Sequence, residues 1–323
     1  MNGPTSAQAP SAVVLIRPNR FAPNPATAFD NAFQGLDLTR CSATLAADAF
    51  AEAGVVAATL RQHGVTVHLF EDDDGLRPDS VFPNNWFSTH PGGRIAIYPM
   101  FSPSRRTERR ADVIEELKRL YRVQEVVDYS ALEHDGVFLE GTGAMVLDHL
   151  DRVAYTARSH RADPLALQRF CASFGYEPFV FDATDERGMP IYHTNVLMCI
   201  ATDIALVGLD LVRSEDQREA LVDRLEASGR SVIPLNAAQI QEFAGNAIEL
   251  RASSGRILAM SARALRSLTP AQRESIERNC PIVALDIPTI ELAGGSVRCM
   301  IAGVHLAPRR QPVGVAAQVA ALV

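Results

Sequence analysis

The sequence predicts an α/β fold made of quasi-repeated modules within one domain. Three observations carry that prediction. Short β-type runs alternate with amphipathic helical stretches along the chain. The helical stretches recur at intervals of about 50 to 60 residues, each flanked by strands. No Pro-, Gly- or Ser-rich linker divides the 323 residues into halves. At about 150 residues per domain, length alone allows two domains or one repeat-built unit, and the missing linker favours the second.

The first group of elements is a strand over 12–17 (AVVLIR), a helix over 42–63 and a strand over 65–70. The second is a strand over 94–98, a helix over 104–121 and a strand over 123–128. Strands over 144–147 and 153–156 then precede a helix over 163–175 and a strand over 177–181. Asp163 and Pro164 suit the N-cap and first position of that helix, and Gly175 stands where a helix terminator belongs. Strands over 196–200 and 204–207 lead to a helix over 215–229, terminated at Gly229, and a strand over 231–235. The last group is a strand over 257–260, a helix over 269–279 and strands over 282–285 and 299–305.

Hydrophobic residues make up 47% and charged residues 21%, which excludes collagen, coiled coil and wholesale disorder. The longest apolar run, 196–209, is broken by Asp203 and Gly208, so no membrane span is expected. With 31 basic against 38 acidic residues, and one basic cluster at Arg105, Arg106, Arg109 and Arg110, nucleic acid is not the expected partner. Residues 1–12 lack the pattern of a secretory signal and read as a flexible tail, which predicts a cytoplasmic protein. Residues 13–306 form the expected single domain, and 307–323 a C-terminal extension whose QPVGVAAQVAALV reads as a short apolar helix packed on its own domain. The sequence leaves room for a homo-oligomer.

Five cysteines without framework spacing predict reduced thiols. No GxGxxG follows the first strand, and the GTG at 141–143 leads toward a strand. Walker, zinc and EF-hand spacings are absent too, so neither a cofactor nor a metal is expected.

Cys41, Cys171, Cys199 and Cys280 read as small hydrophobes or element ends. Cys299 differs, because it follows Gly294, Gly295, Ser296 and the cation Arg298 and opens the last strand at a turn. His193, in MPIYHTNVLMCI, is either a satisfied core histidine or a catalytic base. Glu140, in DGVFLEGTGAMV, is either a surface-turn acid or a carboxylate brought close to a ligand by glycines. Together they supply an acid, a base and a nucleophile from three strand ends. The order Glu, His, Cys and the absence of CGSCW disfavour a papain-like protease.

Seven strings in order carry a resemblance over about residues 13 to 306: RPNRFAPNPATAFDNAFQ (17–34), PDSVFPNNWFS (78–88), PSRRTE (103–108), LEGTGAM (139–145), PIYHTNVLM (190–198), FAGNAIEL (243–250) and GGSVRCM (294–300). With them the chain resembles the guanidino-modifying enzymes of the pentein superfamily, most closely the citrulline utilization hydrolases. That resemblance implies an α/β propeller of five ββαβ-type modules around a central pocket. It implies Cys299 as nucleophile, His193 as general acid/base and Glu140 as catalytic carboxylate. Arg158, in ARSHRAD, matches a position that binds the substrate carboxylate, and Arg105 or Arg106 matches a second one, with a surface role as the alternative.

Two asparagines depart from the guanidinium-specific pattern. Such relatives carry aspartate at the positions of Asn85 and, in arginine deiminases, Asn195. A neutral amide meets the N–H donors and carbonyl of a urea without supplying charge, while Asp79 is retained to bind a substrate N–H or order its loop. The implied substrate is therefore a small ureido amino acid, with citrulline hydrolysed to ornithine, carbon dioxide and ammonia. The alternatives are an arginine dihydrolase or deiminase, and a non-enzymatic ribosome-associated propeller.

Overall fold

The β-rich runs assemble into five three-stranded sheets, each crossed by one helix. The computed structural model describes residues 8–309 apart from Leu36, Leu38 and residues 74–76. In the first sheet β1 (Ala12–Pro18) is followed by α1 (Ser42–Gln62) and β2 (Thr66–Asp72), which pairs parallel to β1. The second holds the hairpin β3 (Phe87–His90) and β4 (Arg94–Ile97), then α2 (Ala111–Leu120) and β5 (Glu125–Asp128) parallel to β4. The third repeats the order with β6 (Val146–Asp148), β7 (Val153–Ala157), α3 (Pro164–Phe174) and β8 (Glu177–Phe181). The fourth has β9 (Met198–Ile200), β10 (Ile204–Val207), α4 (Glu215–Ala227) and β11 (Ser231–Pro234). The fifth has β12 (Ile248–Ala252), β13 (Gly255–Ser261), α5 (Pro270–Glu277) and β14 (Ile282–Leu285).

The first sheet lacks its own leading strand, and the chain supplies it last. β15 (Ala302–Val304) pairs antiparallel to β1 with Val13 opposite Gly303, so the two ends of the fold close one ring. All five units are thus ββαβ modules, as expected for the propeller. The leading strands meet near the axis, where β15 touches β3, β6 touches β9, and β9 touches β12.

Burial explains why the central strands were readable. β7 and β10 are buried at every position, and such strands read as continuous apolar runs rather than alternating ones. Core clusters bridge neighbouring blades; Val14 and Ile16 of β1, for example, pack with Phe87, Ile95, Val113 and Val304. α1 is long and apolar enough to cross a membrane by length and composition alone, but its Leu45, Ala49, Ala53, Val56, Ala57 and Leu60 are buried in the core beside β1 and β2.

α3 shows the local logic of a module helix. Asp163 caps it by accepting from Leu165 N–H at 2.8 Å, Pro164 takes the first turn, and Gly175 ends it at φ +69°. Its Ala166, Leu167, Phe170, Cys171 and Phe174 form the buried face. Asp163→Ala is expected to lower unfolding free energy by about 0.5–2 kcal/mol, read as a lower urea midpoint with unchanged slope.

Several expectations need correction. Residues 8–11 are not a frayed tail: Gln8 is buried, donating to Leu147 and Ile200 carbonyls at 3.0 and 3.1 Å and accepting from His149 N–H at 2.8 Å. The expected helix over 104–121 divides into a 3-10 segment, Pro103–Glu108, and α2. The expected strands at 196–200 and 299–305 each begin as a helical turn, Thr194–Leu197 and Val297–Met300. Of the 307–323 extension, Pro308 bridges to Tyr121 and Arg309 donates to Leu120. The predicted helix of 311–323 lies outside the described residues.

Candidate active site

Each leading strand is preceded by a tight turn at the axis, and every one of these turns carries a polar side chain. Asn85 stands in Pro83–Asn85 before β3, Glu140 caps Gly141–Ala144 before β6, and His193 caps Thr194–Leu197 before β9. Asn246 lies in the turn before β12, and Cys299 lies in Val297–Met300 before β15. The repeat of the fold therefore becomes a ring of five functional groups, all buried.

Cys299 Sγ receives two amide donors, Asn195 Nδ2 and Asn246 Nδ2, each at 3.2 Å. Asn246 Oδ1 accepts from the backbone N–H groups of Arg298 (3.0 Å) and Cys299 (3.4 Å), which fixes the turn that presents the sulfur. Two amide N–H donors thus converge on one sulfur.

His193 Nε2 lies 2.8 Å from Glu140 Oε2. Burial opposes charge on Glu140, but Arg161, the His193 hydrogen bond and Arg105 outweigh it and hold the carboxyl well below the usual carboxylate range. Burial pushes His193 down to about 4, against the pull of Glu140. An ionised Glu140 beside a neutral imidazole assigns the proton to Nε2, leaving Nδ1 to accept one.

The glycines of GTG are required by close approach. A Cβ on Gly141, which sits at φ +48°, would meet the Asn84 carbonyl at 2.5 Å. One on Gly143 would stand 2.1 Å from the Asn85 amide and 2.9 Å from the His193 ring. Gly143→Ala must therefore displace both side chains, and kcat/KM is expected to fall by about a hundredfold, the cost of ångström-scale misplacement. Steady-state kinetics on the folded variant checks this.

Arg105 is buried and grips Glu108 through two bonds of 3.0 and 2.8 Å, with Asp79 at 3.5 Å and Glu140 at 3.4 Å. Burial opposes its charge, but these three acids more than offset that and keep it a guanidinium. Burial raises Glu108 to about 7, with Arg105 pulling it back. Asn85, with its amide oriented by its neighbours, accepts from Arg105 at 3.3 and 3.0 Å and donates to Asn84 Oδ1 at 3.2 Å. Asp79 Oδ2 also accepts from Asn24 at 2.9 Å, while Asp79 Oδ1 and Asn195 Oδ1 are buried acceptors with no partner among the described residues.

Of the predicted residues, Cys299, His193, Asn85, Asp79 and Arg105 line one cleft, with Glu140 and Asn195 directly behind it. Arg106 does not join them; it binds the Met100 carbonyl and Glu133 at the rim. Arg158 does not line the cleft either. It continues the line of β7, its N–H bonded to Phe181, and its half-exposed side chain points to Asp182 at 3.7 Å. The Ser159–Ala162 turn instead carries Arg161 inward, where it is buried against Glu140 (3.4 Å), Asp30 (2.9 Å) and the Tyr192 ring. Asn246, Arg161, Asp30 and Glu108 were missed from sequence. The signal for Asn246 was available: FAGNAIEL places it in a turn before a leading strand, as its counterparts are.

The cleft itself is small, ≈ 10 Å³, and is walled by Thr27 and Asn31 from the segment that Asp30 and Asn24 tie to Arg161 and Asp79. Larger hollows lie elsewhere: a groove of ≈ 890 Å³ beside α1 and an axial cavity of ≈ 50 Å³. Among the described residues no group of three or more His, Cys, Asp or Glu is placed to hold a metal ion.

The family described as N,N dimethylarginine dimethylhydrolase, eukaryotic, matches residues 17–306. No curated protein matches the chain. Among solved structures, the substrate-bound N-terminal domain of ArgZ, an arginine dihydrolase from the ornithine–ammonia cycle in cyanobacteria, has a TM-score of 0.70 at 15% identity, covering 91% of this chain and 97% of that one. AgrE with L-arginine gives 0.72 at 17% identity, covering 93% of this chain but only 41% of the AgrE chain. The dimethylarginine dimethylhydrolase of Pseudomonas aeruginosa, complexed with citrulline, gives 0.61 at 15% identity, covering 91% and 99%. At these identities the likeness is one of fold alone.

Proposed function

The chain belongs to the N,N-dimethylarginine dimethylhydrolase family of the penteins, and from that premise we propose that it hydrolyses the ureido group of citrulline to ornithine, carbon dioxide and ammonia. The family supports a hydrolase of amidino or ureido groups that works through a cysteine; in the ArgZ, AgrE and dimethylarginine dimethylhydrolase structures above, the bound molecule sits on a variant with a cysteine replaced. One observation carries the finer reading. The side chains gathered at Cys299 and the head-group end of the cleft include the amides Asn85, Asn195 and Asn246, while Asp79 Oδ2 lies 3.5 Å from the Arg105 guanidinium. Neutral acceptors suit a neutral urea.

In this reading Cys299 Sγ attacks the ureido carbon while its proton passes to His193 Nδ1. His193 returns that proton to the departing ammonia, leaving a thiocarbamoyl enzyme. Water deprotonated by the same nitrogen then attacks, Sγ departs, and the released carbamate loses carbon dioxide to give ornithine. Asp79 Oδ1 and Asn195 Oδ1 accept substrate N–H groups. The substrate carboxylate takes Arg161 in place of Asp30, which frees the wall carrying Thr27 and Asn31 and enlarges the cleft.

Arginine dihydrolysis is the second reading, favoured by the fold-level likeness to ArgZ and AgrE and by the open oxygen of Asp79. Asn85→Asp separates the two. It adds a carboxylate where the urea offers no charge, so citrulline kcat/KM should fall by about ten- to a thousandfold, while arginine gains or loses far less. Asn195→Asp should act in the same direction. If the arginine-to-citrulline ratio rises in neither variant, the asparagines do not read head-group charge and the ureido assignment fails.

A further inference from the structure

The five leading strands enclose the axial cavity of ≈ 50 Å³, with residues of β3, β6, β9, β12 and β15 all on its wall. The Val297–Met300 turn separates it from the catalytic cleft: Cys299 lines the cleft and its neighbour Arg298 lines the axial cavity. The interior guanidiniums of Arg105, Arg161 and Arg230 each rest on a carboxylate. Arg298 does not. Its one side-chain hydrogen bond goes from a terminal nitrogen to the Ile301 carbonyl at 2.9 Å, and among the described residues no carboxylate lies within ion-pair distance of it.

Glu249 also reaches the cavity wall, but its oxygens are taken by Thr202 (3.0 and 2.6 Å) and Arg256 (3.2 Å). The other titratable groups on the wall are Cys199, whose thiol burial pushes up, and His149 and His305, whose ring centroids lie 4.0 Å apart with the planes tilted by 32°. His149 is pushed down first by burial and then by His305, His90, Arg152 and Arg298. Arg298 is half-buried on the wall of this cavity, and a cation held there without a counter-charge is costly.

We infer that the axial cavity is a binding site for one small monovalent anion, of the size of chloride or bicarbonate, held by Arg298. The cavity has room for such an ion. The Arg298 N–H is bonded to Asn246 Oδ1, and Asn246 Nδ2 touches Cys299 Sγ, so the ion sits one hydrogen-bonded residue from the nucleophile. The inference does not depend on which substrate the cleft takes, and its test needs no turnover.

The test is thermal melting of the full chain at constant ionic strength, with sodium gluconate replaced stepwise by chloride in one series and by bicarbonate in another. The wild type should show a saturable rise in Tm of about 2 °C or more, and the series with the lower midpoint identifies the ion. Arg298→Met should melt at or above the wild type in gluconate, having lost the unpaired charge, and show no rise. Arg298→Lys should keep the rise with a weaker midpoint. No rise in the wild type, an unsaturable one, or an equal rise in Arg298→Met would overturn the inference. If Arg298→Met does not fold, wild-type crystals grown in bromide decide: an anomalous peak at the Arg298 guanidinium supports the site, and its absence removes it.

Discussion

Cys299→Ala is expected to lower hydrolysis by a factor on the order of 10⁴ or more, because without the nucleophile no thiocarbamoyl enzyme can form. The fold should survive, since the change removes one sulfur from a turn still fixed by the Asn246 Oδ1 bonds to the Arg298 and Cys299 amides. Circular dichroism and kcat on the same preparation separate the two outcomes. His193→Ala should lose activity comparably. Because burial holds His193 down to about 4, its imidazole stays neutral well below the ordinary histidine range. The acid side of the kcat/KM profile should therefore remain near its plateau to about pH 5, rather than falling near the ordinary histidine value of about 6.5. A fall centred near pH 6.5 would contradict the neutral, Nε2-protonated imidazole.

Glu140→Gln carries the second large effect, on two properties at once. The carboxylate holds the His193 tautomer, so its loss should lower kcat by about 10⁴-fold, as when the orienting carboxylate of a catalytic triad becomes an amide. It is also the shared counter-charge of Arg105 and Arg161, both buried. Removing one partner of a buried ionic cluster costs about 3–5 kcal/mol, and Glu108, Asp79 and Asp30 remain to limit the loss to the low end. The pH dependence has a definite sign. Glu140 titrates in the fold below its unfolded value, so its stabilisation is fully present above about pH 4.3 and is lost as pH falls through the folded value. Urea midpoints of the wild type should drop on acidification below pH 4.3 more steeply than those of Glu140→Gln. Parallel curves would mean that Glu140 is not the ionised hub of the cluster.

Much of this arrangement was legible in the sequence, for physical reasons that also mark where reading stops. Central strands such as Val153–Ala157 and Ile204–Val207 are buried on both faces and therefore read as apolar runs. β3 escaped notice because Phe87–His90 spells FSTH, whose polar members bond within the axis: Ser88 to His90 and Tyr98, and Thr89 to Gly303. β12 was hidden inside a string valued only for its likeness, FAGNAIEL. Cys299 was found by its glycines and neighbouring cation but placed in a strand, because a four-residue helical turn is too short to leave a periodicity. Arg158 and Arg161 lie three residues apart in one polar stretch, and only the Ser159–Ala162 turn decides which of them faces inward. Gln8, buried among three backbone partners, sits in a stretch whose composition suggests only a tail.

Asn85 contacts Arg105 and Asn195 contacts Cys299 through amide groups, and Asn195 shares the Thr194–Leu197 turn with His193, which bonds Glu140. The measurement that bears most directly on the account is the ratio of kcat/KM for citrulline to that for arginine on the wild-type enzyme, with ornithine and ammonia quantified and Cys299→Ser as background. The account predicts that citrulline is preferred at least tenfold and yields one ornithine and one ammonia per turnover. A tenfold preference for arginine or N,N-dimethylarginine, or no ornithine from citrulline above the Cys299→Ser background, would contradict it.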